Sequence, residues 1–273
     1  VRVVILGHGS IGRRHHDILS RLVPRSQFRI YDPFLGFNVV PRGRFDVGIV
    51  ATPTSSHLDD VERLVDSCDI VFVEKPLHTD VEAIRARRST FSGRRIHVGC
   101  NVRYTDAVRR LRDVSDSARL VNVFAASDLN SWRNDPLRRA YSFHRQLGGG
   151  VLMDFIHEPD YMTHALGPIS SVSLIEDRMH ENVTVDSTDT CVASWRHPTC
   201  LATLCLSYGS KEYIRRIDVL TESGGHEMIH VTKDDVVSSY ERQWKDVLEN
   251  GPRNTYEDCL SLYSSLALAR PEE

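Results

Sequence analysis

Over the first hundred positions, short apolar runs alternate with stretches of helical period. Residues 1–6, 28–31, 46–50, 70–73 and 96–99 have the length and β-branched content of strands. Such near-continuous runs fit strands covered on both faces, as in a parallel sheet. Helical patterns lie between them. The first runs on from Gly12 to Leu22 and Val23 and stops at Pro24, and the second covers about 57–67. A third starts at Thr79, predicted as an N-cap with Glu82 as its capping-box partner. Residues 33–44 leave little room for a crossover helix, so that connection is expected to be a loop. The alternation predicts an α/β unit with a doubly wound parallel sheet over residues 1–101.

From about residue 102 the pattern changes. A helix over 105–114 precedes a strand over 120–126 and a polar segment with Trp132, Arg133, Tyr141 and His144. Three glycines, 148–150, open a helical stretch over 151–166 that contains Pro159. Proline removes a hydrogen bond to the Phe155 carbonyl, so the helix either starts late, with Pro159 in its first turn, or kinks there. Strand patterns follow at 171–175, 190–195, 201–207, 214–221 and 226–231, then helices at 237–249 and 256–269. Consecutive strands predict an α+β domain on a largely antiparallel sheet over residues 102–273.

Composition narrows the class. Of 273 residues, 41% are hydrophobic and 26% charged, which suits a globular chain with a sizeable core. No run has the length of a membrane span, and no signal peptide precedes the first strand, so neither a membrane nor an export role is expected. A net charge of −3 argues against a nucleic-acid partner. Residues 1–101 carry 15 basic against 11 acidic groups, a mild excess that suits a phosphate-bearing ligand and equally a solvated surface. The six cysteines form no C-x-x-C pair, so small buried thiols and a cytoplasmic location are expected, with no metal site.

The most informative stretch is Gly7-His8-Gly9-Ser10-Ile11-Gly12, a G-x-G-x-x-G between the first strand and the first helix. Gly7 permits the tight turn, Gly9 lets the backbone approach a pyrophosphate, and Gly12 lets helix and strand pack closely. Ser10 and Ile11 open a helix whose N–H groups face the phosphates. Asp32 ends the second strand and is placed to accept hydrogen bonds from the adenosine ribose. This favours NAD, because a carboxylate repels a 2′-phosphate, while Arg13 and Arg14 keep NADP open.

Five segments in order resemble the glucose–fructose oxidoreductase / inositol dehydrogenase / rhizopine catabolism (Gfo/Idh/MocA) family of NAD(P)-dependent oxidoreductases. They are 7–12, 51–54 with His57, Glu74-Lys75-Pro76, 99–104 (GCNVRY) and 148–160 (GGGVLMDFIHEPD). The resemblance spans nearly the whole chain. The forms GSIGRRH and D-x-x-H-E-x-D-Y look most like a branch associated with nucleotide-linked and modified sugars. Many members have a step of four between the catalytic Asp and His; here Asp154 and His157 are three apart. The resemblance implies hydride transfer between nicotinamide and a secondary alcohol or its ketone on a sugar, nucleotide sugar or cyclitol. It also implies a cis Lys75–Pro76 bond.

Such chemistry needs proton transfer, polarisation of the oxygen, and alignment. Lys75, at a strand's carboxyl end, can hydrogen-bond the substrate oxygen and stabilise alkoxide charge; otherwise it is a surface lysine. His157 is the candidate general acid/base and Asp154 its carboxylate partner or a hydroxyl ligand. A continuous helix would place both on one face with Tyr161. The bland alternative is a capped helix with a satisfied histidine. Thr52, Pro53, His57, Glu74 and Asn101 are candidate cofactor-cleft residues. Arg103, Trp132, Arg133 and Tyr141 are candidates for the substrate side, with hinge bonding or loop anchoring as the alternatives. Asp160 is expected to be structural. A small sugar-like substrate and a homodimer or homotetramer complete the expectation. The rivals are a reductase of a non-sugar molecule on the same fold and a cofactor-binding sensor or interaction module without turnover.

Overall fold

A computed structural model describes residues 1–132, 141–181, 183 and 185–269, without the side chains of Ser131, Trp132 and Tyr141. The chain divides into two units, Val1–Cys100 with Tyr240–Leu260, and Asn101–Ser239 with Ser261–Glu273.

In the first unit the five apolar runs are strands β1 (Arg2–Leu6), β2 (Gln27–Tyr31), β3 (Phe45–Val50), β4 (Cys68–Glu74) and β5 (Ile96–Gly99). They pair in the order β2-β1-β3-β4-β5, and every pairing is parallel. Val3, Val4, Ile5 and Leu6 are fully buried, as expected of a strand covered on both faces. Helices α1 (Ser10–Leu22), α2 (His57–Leu64) and α3 (Val81–Ala86) follow β1, β3 and β4. The third begins one residue later than the sequence pattern predicts. Its cap is Asp80, whose Oδ1 accepts the Glu82 N–H at 2.8 Å, so Thr79 is not the cap. Between β2 and β3 there is only a single 3₁₀ turn, Pro33–Leu35, as the short connection required.

The second unit is built on six strands: β6 (Ala118–Ala126), β7 (Ser170–Asp177), β8 (Thr190–Arg196), β9 (Leu201–Ser207), β10 (Ile214–Thr221) and β11 (His226–His230). Their order is β11-β10-β6-β9-β8-β7, and only β6 and β9 pair in parallel. Burial alternates along β8 and β9, so one face of the sheet is covered. Helix α4 (Asp106–Asp113) is capped by Thr105, whose Oγ1 accepts the Val108 N–H at 3.2 Å. The stretch after the glycines is two helices, α5 (Val151–Asp154) and α6 (His157–Leu166). The late start is therefore the one adopted: Pro159 lies in the first turn of α6, where its missing N–H costs little.

Helix α7 (Lys233–Asn250) crosses the unit boundary at Ser239/Tyr240, and α8 (Tyr256–Ala267) crosses it at Leu260/Ser261. Chain order alone assigned everything after residue 101 to the second domain. Packing instead gives 240–260 to the first unit, because Trp244 and Val247, both fully buried, join the cluster of Val3, Ile5, Ile49 and Phe72. No helix among the described residues is long and apolar enough to cross a membrane.

Gly12 controls how α1 sits on the sheet. A Cβ there would stand 2.0 Å from the Gly7 carbonyl oxygen, a backbone atom that cannot yield. Gly12→Ala is expected to destabilise the protein by at least about 2 kcal/mol, read from urea midpoints. A loss of under about 0.5 kcal/mol would show that α1 can lift away freely.

Candidate active site

Because β1 to β5 run in one direction, their carboxyl ends share one edge of the sheet. Four of these ends bring together the 7–12 turn, Asp32, the 51–57 turn and Glu74-Lys75. Gly7 adopts φ +85°, and a Cβ on it would lie 2.5 Å from the Ala51 carbonyl oxygen, so glycine is required twice over. At Gly9 a Cβ would meet nothing within 4 Å. Gly9 is also the N-cap of α1 and offers no side-chain acceptor, and the first turn of that helix holds no acidic residue. Its N–H groups are thus left for an anion. Asp32 is fixed by two backbone donors, His8 N–H to Oδ2 at 2.7 Å and Phe34 N–H to Oδ1 at 3.0 Å. A carboxylate has about four lone-pair sites, so capacity remains for a diol. Open space, an uncapped helix start and an anchored acid fit a dinucleotide.

His8 and His16 meet at 3.0 Å beside this turn, and burial with His16 as neighbour pushes the His8 ring below its usual pKa. Of the cations near the helix start, Arg13 is exposed, and the Arg14 guanidinium lies 4.8 Å from the Tyr240 ring centroid.

The 51–57 turn holds itself together. Thr52 Oγ1 donates to Asp60 at 2.7 Å, and His57 stands with Nδ1 2.8 Å from the Pro76 carbonyl oxygen and Nε2 2.9 Å from that of Thr52. These side chains shape the edge, while Pro53 is exposed on it. Burial pushes the His57 pKa down, against the pull of both carbonyls.

Glu74 closes β4. Its Oε1 lies 2.8 Å from His15 Nε2, and its Oε2 accepts the Lys75 N–H at 3.2 Å. Lys75 is half-buried, and the Lys75–Pro76 bond is cis.

In the second unit, Asn101 donates to Ser239 Oγ at 2.8 Å and the Val236 carbonyl at 3.2 Å, tying the start of the unit to α7. Arg103 gives Nε and NH2 to the two oxygens of Asp160 at 2.6 and 2.8 Å. Both side chains are buried, so Asp160 is structural, and the Arg103 fork is committed within the unit. Asp154 ends α5 and accepts the Tyr208 hydroxyl at 2.6 Å. His157 opens α6 and is 7% exposed. The helix break between them removes the one-face argument: Asp154, His157 and Tyr161 do not share a continuous helix. Glu158, fully buried, pairs with Arg215 at 2.6 Å. Tyr161 lies beside that pair, and burial with Glu158 nearby pushes its hydroxyl well above the ordinary tyrosine range. Arg133 and the side chains of Trp132 and Tyr141 lie outside the described residues.

His15, Trp244, Tyr208 and Arg215 were not legible as site residues. His15 had a signal, since helical period sets it with Ile18 and Leu19 on the buried stripe of α1. Tyr208 had a weaker one, following directly on a strand end.

Residues 108–227 match the GFO/IDH/MocA C-terminal domain. The inositol 2-dehydrogenase of Rhizobium meliloti (strain 1021) is 26% identical over 191 residues, 62% of this chain and 57% of that protein, so the match spans little more than half of that relative. Among solved structures, a myo-inositol dehydrogenase from Corynebacterium glutamicum ATCC 13032 superposes with a TM-score of 0.79 at 16% identity, covering 98% of this chain and 96% of that one. The WlbA dehydrogenase from Chromobacterium violaceum, solved in complex with NADH and UDP-GlcNAcA, gives 0.77 at 16% identity over 98% and 93% of the two chains. At such identity these structures establish the fold.

Burial also pushes His197 below its usual pKa; its Nδ1 lies 2.8 Å from the Gly167 carbonyl oxygen and its Nε2 accepts Trp195 Nε1–H at 2.8 Å. His57 and His197 thus have folded pKa values below the unfolded one, so the unfolded chain takes up more protons as the pH falls past about 6.5. Stability should be full above that value and decline below it. Urea midpoints are expected to drop between pH 7.5 and 5.5, with a shallower drop in His197→Gln; a flat wild-type profile would exclude this linkage.

Proposed function

We propose that the chain, whose residues 108–227 match the GFO/IDH/MocA C-terminal domain, is an NAD-dependent oxidoreductase of that family acting on a secondary alcohol, or its ketone, of a sugar, nucleotide sugar or cyclitol. One observation carries the reading: the carboxyl edge of the first sheet gathers a fitted dinucleotide turn, Asp32 and Lys75. The names of its similar proteins support the substrate class, since they include inositol dehydrogenases and an enzyme crystallised with NADH and a UDP-sugar acid.

On this reading the first unit binds the cofactor and the second binds the substrate. The 7–12 turn and the start of α1 hold the pyrophosphate, and Asp32 holds the ribose. Bound NAD supplies the hydride chemistry. Lys75 donates a hydrogen bond to the reacting oxygen and stabilises its negative charge. His157 takes the hydroxyl proton during oxidation and returns it during reduction. Asp154, anchored by Tyr208, orients the imidazole or holds a neighbouring hydroxyl. The choice of lysine at 75 supports the reading. Only Lys75, Lys211, Lys233 and Lys245 are lysines among 34 basic residues, so this chain builds its cations almost wholly from arginine. An ammonium is compact and can shed its proton, whereas a guanidinium cannot. The open face of the second sheet exposes Ile175, Val192, Leu201 and Met228, which supports a homo-oligomer.

Titration with NADH and NADPH, alone and with a panel of sugar nucleotides and cyclitols, tests the reading. Saturable NADH binding that one substrate class tightens is expected. His157→Asn should keep that binding and lower turnover by roughly 100-fold or more. Failure to bind either cofactor would overturn the enzyme assignment, and near-normal turnover in the variant would remove His157 from the mechanism.

A further inference from the structure

Glu74 ends β4 with 7% exposure, so its carboxylate depends on protein donors. Its surroundings make room for it. A Cβ on Gly99, the neighbouring residue of β5, would stand 3.2 Å from Glu74 Oε1 and 2.9 Å from the Phe72 ring. The donor at Oε1 is His15, which is fully buried on α1.

The protonation of His15 follows from its second contact. Trp244 Nε1 lies 2.8 Å from His15 Nδ1, and an indole nitrogen only donates. Nδ1 is therefore the acceptor, and the proton sits on Nε2, which donates to Glu74. The ring is boxed by aromatic edges: Phe72 at 4.9 Å and Trp244 at 5.6 Å between centroids, both T-shaped, with Phe72 and Trp244 stacked on each other at 4.5 Å. Such packing leaves the imidazole one orientation. The far oxygen of Glu74 then accepts the Lys75 N–H at 3.2 Å. A directed chain of hydrogen bonds thus runs from Trp244 through His15 to Glu74, where the Lys75 main chain meets it.

We propose that His15, its tautomer fixed by Trp244, is a positioning residue that sets the main chain at Lys75 through Glu74. The catalytic consequence rests on the role given to Lys75 above. His15 touches no reacting atom; it holds the carboxylate that holds the strand end from which Lys75 projects. The imidazole is fixed in one tautomer by a donor-only neighbour, so it serves as a strut between Trp244 and Glu74.

The four lysines make the test practical, because selective ¹⁵N-lysine labelling reads the Lys75 amide among only four signals. In His15→Leu both hydrogen bonds of the strut are lost. Exchange of the Lys75 amide with solvent should speed up by roughly tenfold or more, the scale of one hydrogen bond. The kcat should fall roughly 10- to 100-fold with the Kd for NADH little changed, the cost of a misplaced catalytic group. His15→Gln keeps a donor toward Glu74 and should restore both readings most of the way. Trp244→Phe frees Nδ1 to take the proton and should move the His15 ring ¹⁵N shifts off the Nε2–H pattern. This variant also carries the amide measurement should His15→Leu not fold. Wild-type exchange at Lys75 in either His15→Leu or Trp244→Phe overturns the proposal, as does faster exchange with kcat unchanged. If the wild-type protein turned over no substrate in the panel, the enzyme reading would fail, and amide exchange would still decide the positioning role.

Discussion

Helix α1 rests on the turn that precedes it with no room for a methyl group, since a Cβ at Gly12 would meet the Gly7 carbonyl oxygen at 2.0 Å. That contact fixes the direction in which the helix N-terminus points, and with it the uncapped N–H groups that suit an anion. The same helix carries His15 one turn further along. Packing α1 tightly therefore sets two things at once: the direction of its uncapped N-terminus, and the donor that reaches Glu74 at the end of a different strand. The parallel sheet supplies the rest by delivering β1 to β4 to one edge in the same sense.

Four buried or nearly buried polar side chains among the described residues are met by partners from distant parts of the chain. Asp154 takes Tyr208, Glu158 takes Arg215, Arg103 takes Asp160, and Glu74 takes His15. Each pairing removes a freedom that an active site would otherwise have to suppress. A catalytic group placed by a single hydrogen bond can still swing, but a group whose holder is itself held cannot. Arg103 shows the reverse side of this economy. Its motif position invites a substrate role, yet both arms of its fork are taken by Asp160, and its charge is neutralised inside its own unit.

Much of this was legible in the sequence because the signals were local. Apolar runs marked all five strands of the first sheet, and strand patterns marked the second sheet to within a few residues, because period-two and continuous burial leave direct traces. Pro159 announced that the stretch after the glycines could not be one regular helix; only the structure shows that the break comes between Asp154 and His157. What escaped was non-local. Nothing near Trp244 in sequence tells that its indole closes the first unit, and nothing near His15 tells that its ring bridges that indole to Glu74. The misread cap at Thr79 is a smaller case, in which two adjacent residues could each cap and the carboxylate of Asp80 took the position.

The return of residues 240–260 to the first unit bears on how the protein is made. The bond between His15 and Trp244 spans 229 positions, so the strands and helices of residues 1–100 cannot complete their core until residues 240–260 have been synthesised. In the meantime the apolar face that awaits Trp244 and Val247 stays uncovered, while the second unit, whose strand pairings lie between residues 118 and 230, can form its sheet. Between these two units, biosynthesis is thus expected to reverse the order of the sequence: the unit whose strands are translated earlier is finished later, by a segment that follows the other unit's sheet.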